Sequence, residues 1–262
     1  MKYRFLVLFT LLSLVVGTIY AADQYSALKI RNTAFSPGEK LDYIGYFQWG
    51  VIIDGVDLTT FAIEDTCRGK KVYNIEAVVK TTKTIKTFFF LCDTFRTKIT
   101  MDYLEPMHFY EHDKEKKYEA VYSYRFFPSE AGMYVDAYSN RNGTVKQEKV
   151  HYKGYPMDPF SLLYRIRNID FASLKEGDNI WFDSYVFQDP VVTMCIQYLG
   201  TETVKLRSKK TIEAMKFKFN TSDGTLFSSK NPVYLWIETA PAHRIVHAEA
   251  KLKIGYAKVD IK

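Results

Sequence analysis

The sequence has few cysteines, which excludes a small domain held together by disulfide bonds. Only Cys67, Cys92 and Cys195 occur among its 262 residues, whereas small disulfide-dependent domains use many more. One intrachain bridge at most can form. A bridge between Cys67 and Cys92 is one alternative, and buried or half-buried thiols are the favoured one. We therefore expect a hydrophobic core to hold the fold together.

Motifs for familiar catalytic chemistry are also absent. The chain contains no Gly-x-Ser-x-Gly, Ser-x-x-Lys, Cys-x-x-Cys or His-Glu-x-x-His sequence and no glycine-rich phosphate loop. His108 and His112 share one face of a predicted strand, but about 13 Å apart, too far to bind one ion. We read them, with Glu111 and Asp113, as part of a solvated hairpin arm. No catalytic residue, metal or cofactor is predicted, and an enzyme without a recognisable motif remains an alternative.

Neither sign of charge dominates. The formal net charge is +6, and acidic and basic residues alternate along the chain without forming a basic stripe. A nucleic-acid-binding protein normally shows such a stripe. The charge pattern therefore predicts no nucleic-acid partner.

Long apolar runs are absent except at the start of the chain. Two basic residues precede the apolar run Phe5–Val16, and the small residues Ala21 and Ala22 follow it. This pattern predicts a signal peptide over residues 1–21. The run is shorter than the roughly 20 residues that a membrane span needs. We therefore expect an exported chain without a membrane span after cleavage, in the periplasm or, alternatively, outside the cell.

Aromatic residues are abundant and make up 16% of the chain. They recur with β-branched residues in segments that alternate between apolar and polar positions, as in "KVYNIEAVVKTT" and "YEAVYSYRFF". Short turn signals separate these segments at Asp54-Gly55, at residues 112–117 and at Asn142-Gly143. The pattern predicts an all-β fold. Residues 22–262 would form one domain, a curved antiparallel sheet making an open or closed barrel.

The C-terminal segment "RIVHAEAKLKIGYAKVDI" alternates most clearly. Val246 and Ala248 begin an apolar face opposite His247 and Glu249, and the parity reverses after Gly255. A β-bulge at Gly255 would keep both halves facing one core and bend the strand. We therefore predict one long, bent last strand.

One short helix interrupts the strands. Asp158 suits the N-cap and Pro159 the first helical position, so the helix is predicted over about residues 159–168. A helix this short needs support from packing, and the inside of a curved sheet supplies it. Arg167 lies outside the polar stripe of this helix. We predict that it pairs with Glu39; the alternative is that its head reaches solvent.

Three segments resemble a bacterial family catalogued as domain of unknown function 3108. They are "FSPGEKLDY" at residues 35–43, "DPFSLLYRIR" at residues 158–167 and the segment from Trp236 to Ile261. The last departs from the family pattern in carrying "IETAPAH" before Arg244. The resemblance implies an exported, barrel-like envelope protein and supplies no activity.

The aromatic content has two interpretations beyond a filled core. A curved sheet too wide for its side chains can hold one apolar molecule, and strands apolar on the outside could form a membrane barrel. Charges on both faces of several strands disfavour the second. The sequence thus favours an envelope protein, non-enzymatic, that binds an amphipathic lipid or glycan or a partner protein; the alternative is a structural or assembly factor without a ligand. The candidate structural residues are Glu39, Asp158, Tyr164, Arg167, Trp236, Arg244 and Gly255.

Overall fold

The computed structural model describes residues 30–87, 90–185, 192–221 and 233–262. The predicted signal peptide lies outside these residues. The strands are β1 Lys40–Trp49, β2 Val51–Cys67, β3 Lys70–Thr81, β4 Cys92–Thr100, β5 Pro106–Glu115, β6 Tyr118–Ser129, β7 Gly132–Arg141, β8 Thr144–Tyr152, β9 Asn179–Ser184, β10 Val192–Lys205, β11 Thr211–Thr221, β12 Val233–Glu238, β13 Ile245–Lys251 and β14 Tyr256–Ile261. Helix α1 spans Pro159–Ile166, and a 3-10 turn spans Phe171–Ser173.

All fourteen strands join one antiparallel sheet in the order β8-β7-β6-β5-β4-β3-β2-β1-β14-β13-β12-β11-β10-β9. Strands that follow one another pair as hairpins, and the first and last strands pair side by side. The sheet is not closed by strand pairing, because β8 and β9 are its two edges. The predicted all-β, barrel-like fold with one helix is confirmed in its open form.

Helix α1 lies inside the curve and contributes to the core on both sides. Phe160 packs with side chains of β3 to β7, whereas Leu162 and Ile166 pack with side chains of β10 to β12. Tyr164 packs with β2, β3 and the segment before β1. The helix thus fills the space that a sheet of this width leaves between its walls.

The predicted N-terminus of the helix is confirmed. The Asp158 carboxylate accepts hydrogen bonds from the backbone N–H groups of Phe160 (3.1 Å) and Ser161 (2.9 Å), and Pro159 takes the first helical position. The helix ends at Ile166, with Arg167 as C-cap. It is therefore slightly shorter than predicted, because the chain leaves the helical conformation before Asn168.

The predicted turn at Asp54-Gly55 is wrong. Both residues lie inside β2, and the chain turns at Gly50, which has a φ of 68°. Gly55 is the additional residue of a bulge, since Gly45 pairs with Val56 and Tyr46 with Asp54. The Asp54-Gly55 pair marks a β-bulge, which bends β2 without ending it.

The single bent strand predicted around Gly255 is also wrong. Strands β13 and β14 pair with each other, Lys251 opposite Tyr256, so the segment is a hairpin. Gly255 lies in its turn with a φ of 72°. The inward-facing positions change from even to odd numbers after Gly255 because the chain turns back there and starts a new strand. Residues that pair across an antiparallel hairpin point to the same face of the sheet, so Ala250 and Ala257 both face the core.

The other two predicted turns are confirmed. Asn142 and Gly143 have φ values of 49° and 89°, the two positive values of a tight hairpin turn. Within residues 112–117 the turn itself is confined to Lys116 and Lys117, since Glu115 pairs with Tyr118. The preceding residues belong to β5.

Candidate functional site

The ion pair predicted between Arg167 and Glu39 is present; Arg167 is buried and the Glu39 side chain is 15% exposed. Nη1 and Nη2 of Arg167 each donate to one carboxylate oxygen of Glu39, both at 2.7 Å. Arg167 also donates to the carbonyls of Ala34 and Ala242, at 3.3 and 3.0 Å. Burial alone would lower the pKa of Arg167. The hydrogen bonds and the opposite charge of Glu39 outweigh this effect, so the pKa is raised. The pair fixes the end of α1 against the chain entering β1.

Two aromatic rings flank the same guanidinium. The Arg167 Cζ atom lies 5.2 Å from the ring centroids of Phe35 and Tyr164. The Tyr164 hydroxyl donates to Thr60 Oγ1 at 3.3 Å. Burial raises the pKa of Tyr164 to about 12, so this side chain stays neutral and serves as a hydrogen-bonding wall.

The start of the helix is fixed by a buried carboxylate. Besides its cap bonds, Asp158 accepts from the Thr97 hydroxyl on β4 at 2.9 Å and from the Ser161 hydroxyl. Burial raises the pKa of Asp158 to about 6, although all four hydrogen bonds oppose the shift. The Ser161 hydroxyl thus helps to hold the buried Asp158 carboxylate in place.

The remaining predicted residues lie elsewhere in the fold. Arg244 pairs through both carboxylate oxygens with Glu238, at 2.6 and 2.9 Å, across the β12–β13 turn. Trp236 lies on the outer face, where its Nε1 donates to Glu202 at 2.8 Å. Gly255 lies in the β13–β14 turn. The seven candidates therefore do not converge on one site; they fix the helix and two hairpins.

A cavity of about 160 Å³ lies between α1 and the inner face of the sheet. Its walls are mainly aliphatic and aromatic; representative side chains are Leu41, Leu58, Leu162, Leu163, Leu235 and Val259. Sequence analysis did not locate this cavity, because inward-facing residues of a filled and a hollow sheet have the same pattern.

The two ends of the cavity differ in exposure. Arg167 and Tyr164 close one end and are buried. The other end is lined by Ala250 and Ala257, which are also buried, and by Val233, which pairs with Ala250 and is partly exposed. The cavity therefore runs from the ion pair toward the β13–β14 turn.

A group of buried carboxyl groups was not predicted from the sequence. Glu111 and Asp113 on β5, and Asp93 on β4, are buried on the inner face, so the inner side of the predicted solvated arm is part of the core. Burial raises the pKa of Asp93 to about 7 and also raises those of Glu111 and Asp113. The Tyr124 hydroxyl is buried without a hydrogen-bond partner among the described residues.

A second buried group lies under the β10–β11 hairpin, which folds over the outer face. Asp260 accepts from the His247 imidazole, from the backbone N–H of Arg207 and, at 3.2 Å, from the Tyr46 hydroxyl. Burial lowers the pKa of His247, but hydrogen bonds to Asp260 and Glu249 outweigh this and raise it. The alternation in β13 placed His247 on the outer face but gave no sign of the hairpin that covers it.

The remaining chemistry is sparse within the part of the chain that the structure describes. His108 contacts Ser123 at 2.9 Å and His112 contacts Glu119 at 2.8 Å. No group of three or more potential metal ligands occurs among the described residues. The three cysteines are free thiols. No helix in the described ranges is long and apolar enough to cross a membrane.

A single open β-sheet curved around one helix defines the class of this protein, a barrel-like all-β fold. The chain belongs to the family described as "Protein of unknown function (DUF3108)", whose model matches residues 43–262. No curated protein matches the sequence.

Two solved structures are similar to this one at low sequence identity. A "Beta-barrel-like Protein of Domain of Unknown Function DUF1849 from Brucella abortus" is 10% identical, with a TM-score of 0.49; the match covers 85% of this chain and 97% of that one. An "exported protein with YmcC-like fold" from Bacteroides fragilis is 11% identical, with a TM-score of 0.38; the match covers 88% of this chain and 100% of that one.

Proposed function

We propose that this protein is an exported envelope protein that binds the hydrocarbon part of a lipid in the cavity between α1 and the sheet. The observation that carries the proposal is the apolar lining of that cavity. A glycan presents hydroxyl groups that need hydrogen-bond partners when buried. An aliphatic chain needs none, so the lining favours the lipid of the two amphipathic ligands.

The size of the cavity limits what it accepts. A dry cavity of about 150 Å³ lined by aliphatic and aromatic side chains admits a molecule the size of benzene. The volume of about 160 Å³ thus fits a short segment of an acyl chain. The rest of the lipid would extend past Ala250 and Ala257 at the partly exposed end.

Arg167 supports this orientation. Both of its terminal nitrogens are already paired with Glu39, so the closed end offers no free cation to an anionic headgroup. Separating the pair to bind a headgroup would leave a largely buried carboxylate unpaired, which is costly. The headgroup is therefore placed at the partly exposed end, and the chain at the ion-pair end.

Native mass spectrometry of the exported chain, purified without detergent, tests the proposal. We expect a discrete additional mass that is released on unfolding and is identified as lipid. Ala248→Phe, which places a ring in the cavity lining, should remove this mass. Ala131→Phe, the same substitution in an exposed turn, should retain it. A glycan in place of the lipid, or a chain that stays free of ligand when mixed with phospholipid, would contradict the proposal.

A further inference from the structure

Exposed apolar side chains concentrate at the tips of two neighbouring hairpins. The β1–β2 tip carries Trp49, Val51, Ile52 and Ile53, and the β13–β14 tip carries Ile254 and Tyr256. Trp49 and Val51 are each 64% exposed and Ile254 is 57% exposed. We call residues 47–53 and 251–256 the paired tips.

The paired tips are held together by direct contact. Gln48 and Tyr256 are partners in the β1–β14 ladder. A Cβ placed on Gly255 would lie 2.4 Å from the Gln48 carbonyl and 3.0 Å from the Trp49 Cβ. The two turns therefore form one protrusion that carries the apolar side chains. The position of each tip is fixed by its contact with the other.

The surroundings of the paired tips are basic. Lys251 and Lys253 are exposed on the tips themselves. The loop of residues 82–87 lies at the base of the β1–β2 tip, since Thr82 donates its N–H to the Gly55 carbonyl at 2.9 Å, and it exposes Lys83 and Lys86. None of these four lysines forms an ion pair with a described residue.

Carboxylates are absent from the same segments. Residues 47–53, 82–87 and 250–257 contain no aspartate or glutamate. The nearest acidic residue of β2, Asp54, is paired with Arg207 at 3.4 Å. An apolar protrusion with Trp and Tyr, ringed by unpaired lysines, is the chemistry that enters the headgroup region of an anionic bilayer.

We propose that the paired tips are a docking surface for an anionic lipid bilayer. Trp49, Ile52 and Ile254 would enter the boundary between headgroups and acyl chains, while the four lysines contact lipid phosphates. Charge complementarity favours a bilayer over a second copy of this chain, because two sets of tips and adjoining loops of residues 82–87 would bring eight lysines together.

Under the proposed function, the position of the paired tips would bring the cavity close to the docked bilayer. Ala250 and Ala257 line the cavity and immediately precede the tip pair Lys251 and Tyr256 in the ladder. A lipid chain would thus pass between the docked bilayer and the cavity over a short path. This path rests on the proposed function, whereas docking itself does not.

Vesicle flotation with the full exported chain tests the docking surface. The vesicles are phosphatidylcholine alone, and phosphatidylcholine with an equal part of phosphatidylglycerol. We expect partition into the anionic vesicles, weakened by salt because salt screens the lysines. Trp49→Ser and Ile254→Ser should each reduce it at least about tenfold. Changing both Lys251 and Lys253 to Gln should reduce it by about 25-fold, at roughly fivefold per lysine.

Ile63→Ser is the matched control, because Ile63 is 52% exposed on β2 away from the tips and should leave partition unchanged. A thermal melt of each variant shows that it is folded. The proposal is overturned if the wild-type protein does not float, if the control variant loses as much partition as Trp49→Ser, or if Trp49→Ser only dissociates a dimer in gel filtration.

The same set of variants separates docking from lipid uptake. Ala248→Phe should float like the wild-type protein yet carry no lipid mass, and Trp49→Ser should bind lipid added in solution yet fail to float. Loss of flotation in Ala248→Phe would show that the tips do not dock on their own, contrary to the proposal.

Discussion

At the residue scale, the pairing of Arg167 with Glu39 shows what a sequence can predict about a buried charge. The prediction came from an arginine outside the polar stripe of a short helix, since a buried guanidinium needs a carboxylate. The predicted partner, Glu39, belongs to "FSPGEKLDY", one of the three segments that carry the family resemblance, and it lies directly before β1. The two additional carbonyl acceptors, Ala34 and Ala242, are backbone groups in loops, and no sequence pattern identifies them.

A double-mutant cycle measures this pair. Glu39→Gln should destabilise the fold by about 3 kcal/mol, because it leaves the buried Arg167 charge without its carboxylate, and Arg167→Met should cost somewhat less, because Glu39 is partly exposed. The double variant should cost much less than the sum, with a coupling of about 2 kcal/mol in urea unfolding. A coupling near zero would show that the ion pair does not stabilise the end of the helix.

Asp93 should make the stability of the fold depend on pH. Burial, opposed by the N–H of Lys114 and reinforced by Asp113 and Glu115, raises its pKa from 3.8 to about 7. Between these values the unfolded chain is ionised and the folded chain is protonated. Stability therefore falls as the pH rises through this range, by at most about 4 kcal/mol.

Asp93→Asn keeps the acceptor for Lys114 and removes the ionisation. It should be more stable than the wild-type protein near pH 8 and similar to it near pH 4, as measured by urea unfolding. Glu111 and Asp113 remain in both proteins, but the Asp93 charge also helps to raise the pKa of Glu111, so the difference reports the ionisation of Asp93 together with this coupling. The exposed Asp102→Asn is the control. An equal gain at both pH values would exclude ionisation as the cause.

At the scale of elements, sequence alternation predicted the strands well and their ends less well. Asn142-Gly143 was located correctly because both residues need positive φ, whereas Asp54-Gly55 marked a bulge that has the same local signature. The β13–β14 hairpin was predicted as one strand, since the alternation continues through Leu252 and Ile254 and its reversal at Gly255 was interpreted as a bulge. The residues that favour a turn can be recognised from the local sequence. Whether they form a turn or a bulge depends on which strand pairs with them, and the local sequence does not contain that information.

Two glycines in turns allow this point to be measured. Gly50 and Gly255 both have positive φ, at 68° and 72°, but only Gly255 has another backbone within reach of a Cβ. Gly50→Ala should cost about 1–2 kcal/mol from left-handed backbone strain. Gly255→Ala should cost clearly more, because the Gln48 carbonyl must move. If Gly50→Ala and Gly255→Ala shift the unfolding midpoint equally, the paired tips can move apart without loss of stability.

At the scale of the whole molecule, the sequence predicted a curved sheet without showing how its edges meet. The cavity, the buried carboxyl groups and the covering β10–β11 hairpin all depend on contacts between residues far apart in the chain. The edge of β9 offers an example. Met157, just before α1, forms a parallel bridge with Ser184, so the chain leading into the helix covers the edge strand.

Two backbone hydrogen bonds hold this cover in place. The N–H of Met157 donates to the Asp183 carbonyl at 3.0 Å, and the N–H of Tyr185 donates to the Met157 carbonyl at 2.8 Å. An edge strand without such a cover exposes its unpaired groups to solvent or to another chain. The approach to α1 therefore protects the open side of the barrel as well as placing the helix.

Met157→Pro should open this edge, because proline has no N–H to donate to Asp183. Met157→Ala is the matched control, since it removes the same buried side chain but keeps the N–H. Native-state hydrogen exchange should show the Tyr185 amide exchanging at least about tenfold faster in the proline variant than in the alanine variant. Amides that pair β1 with β14 should exchange alike in both variants. Equal exchange at Tyr185 would mean that the Met157 side chain, rather than the backbone bridge, covers the edge.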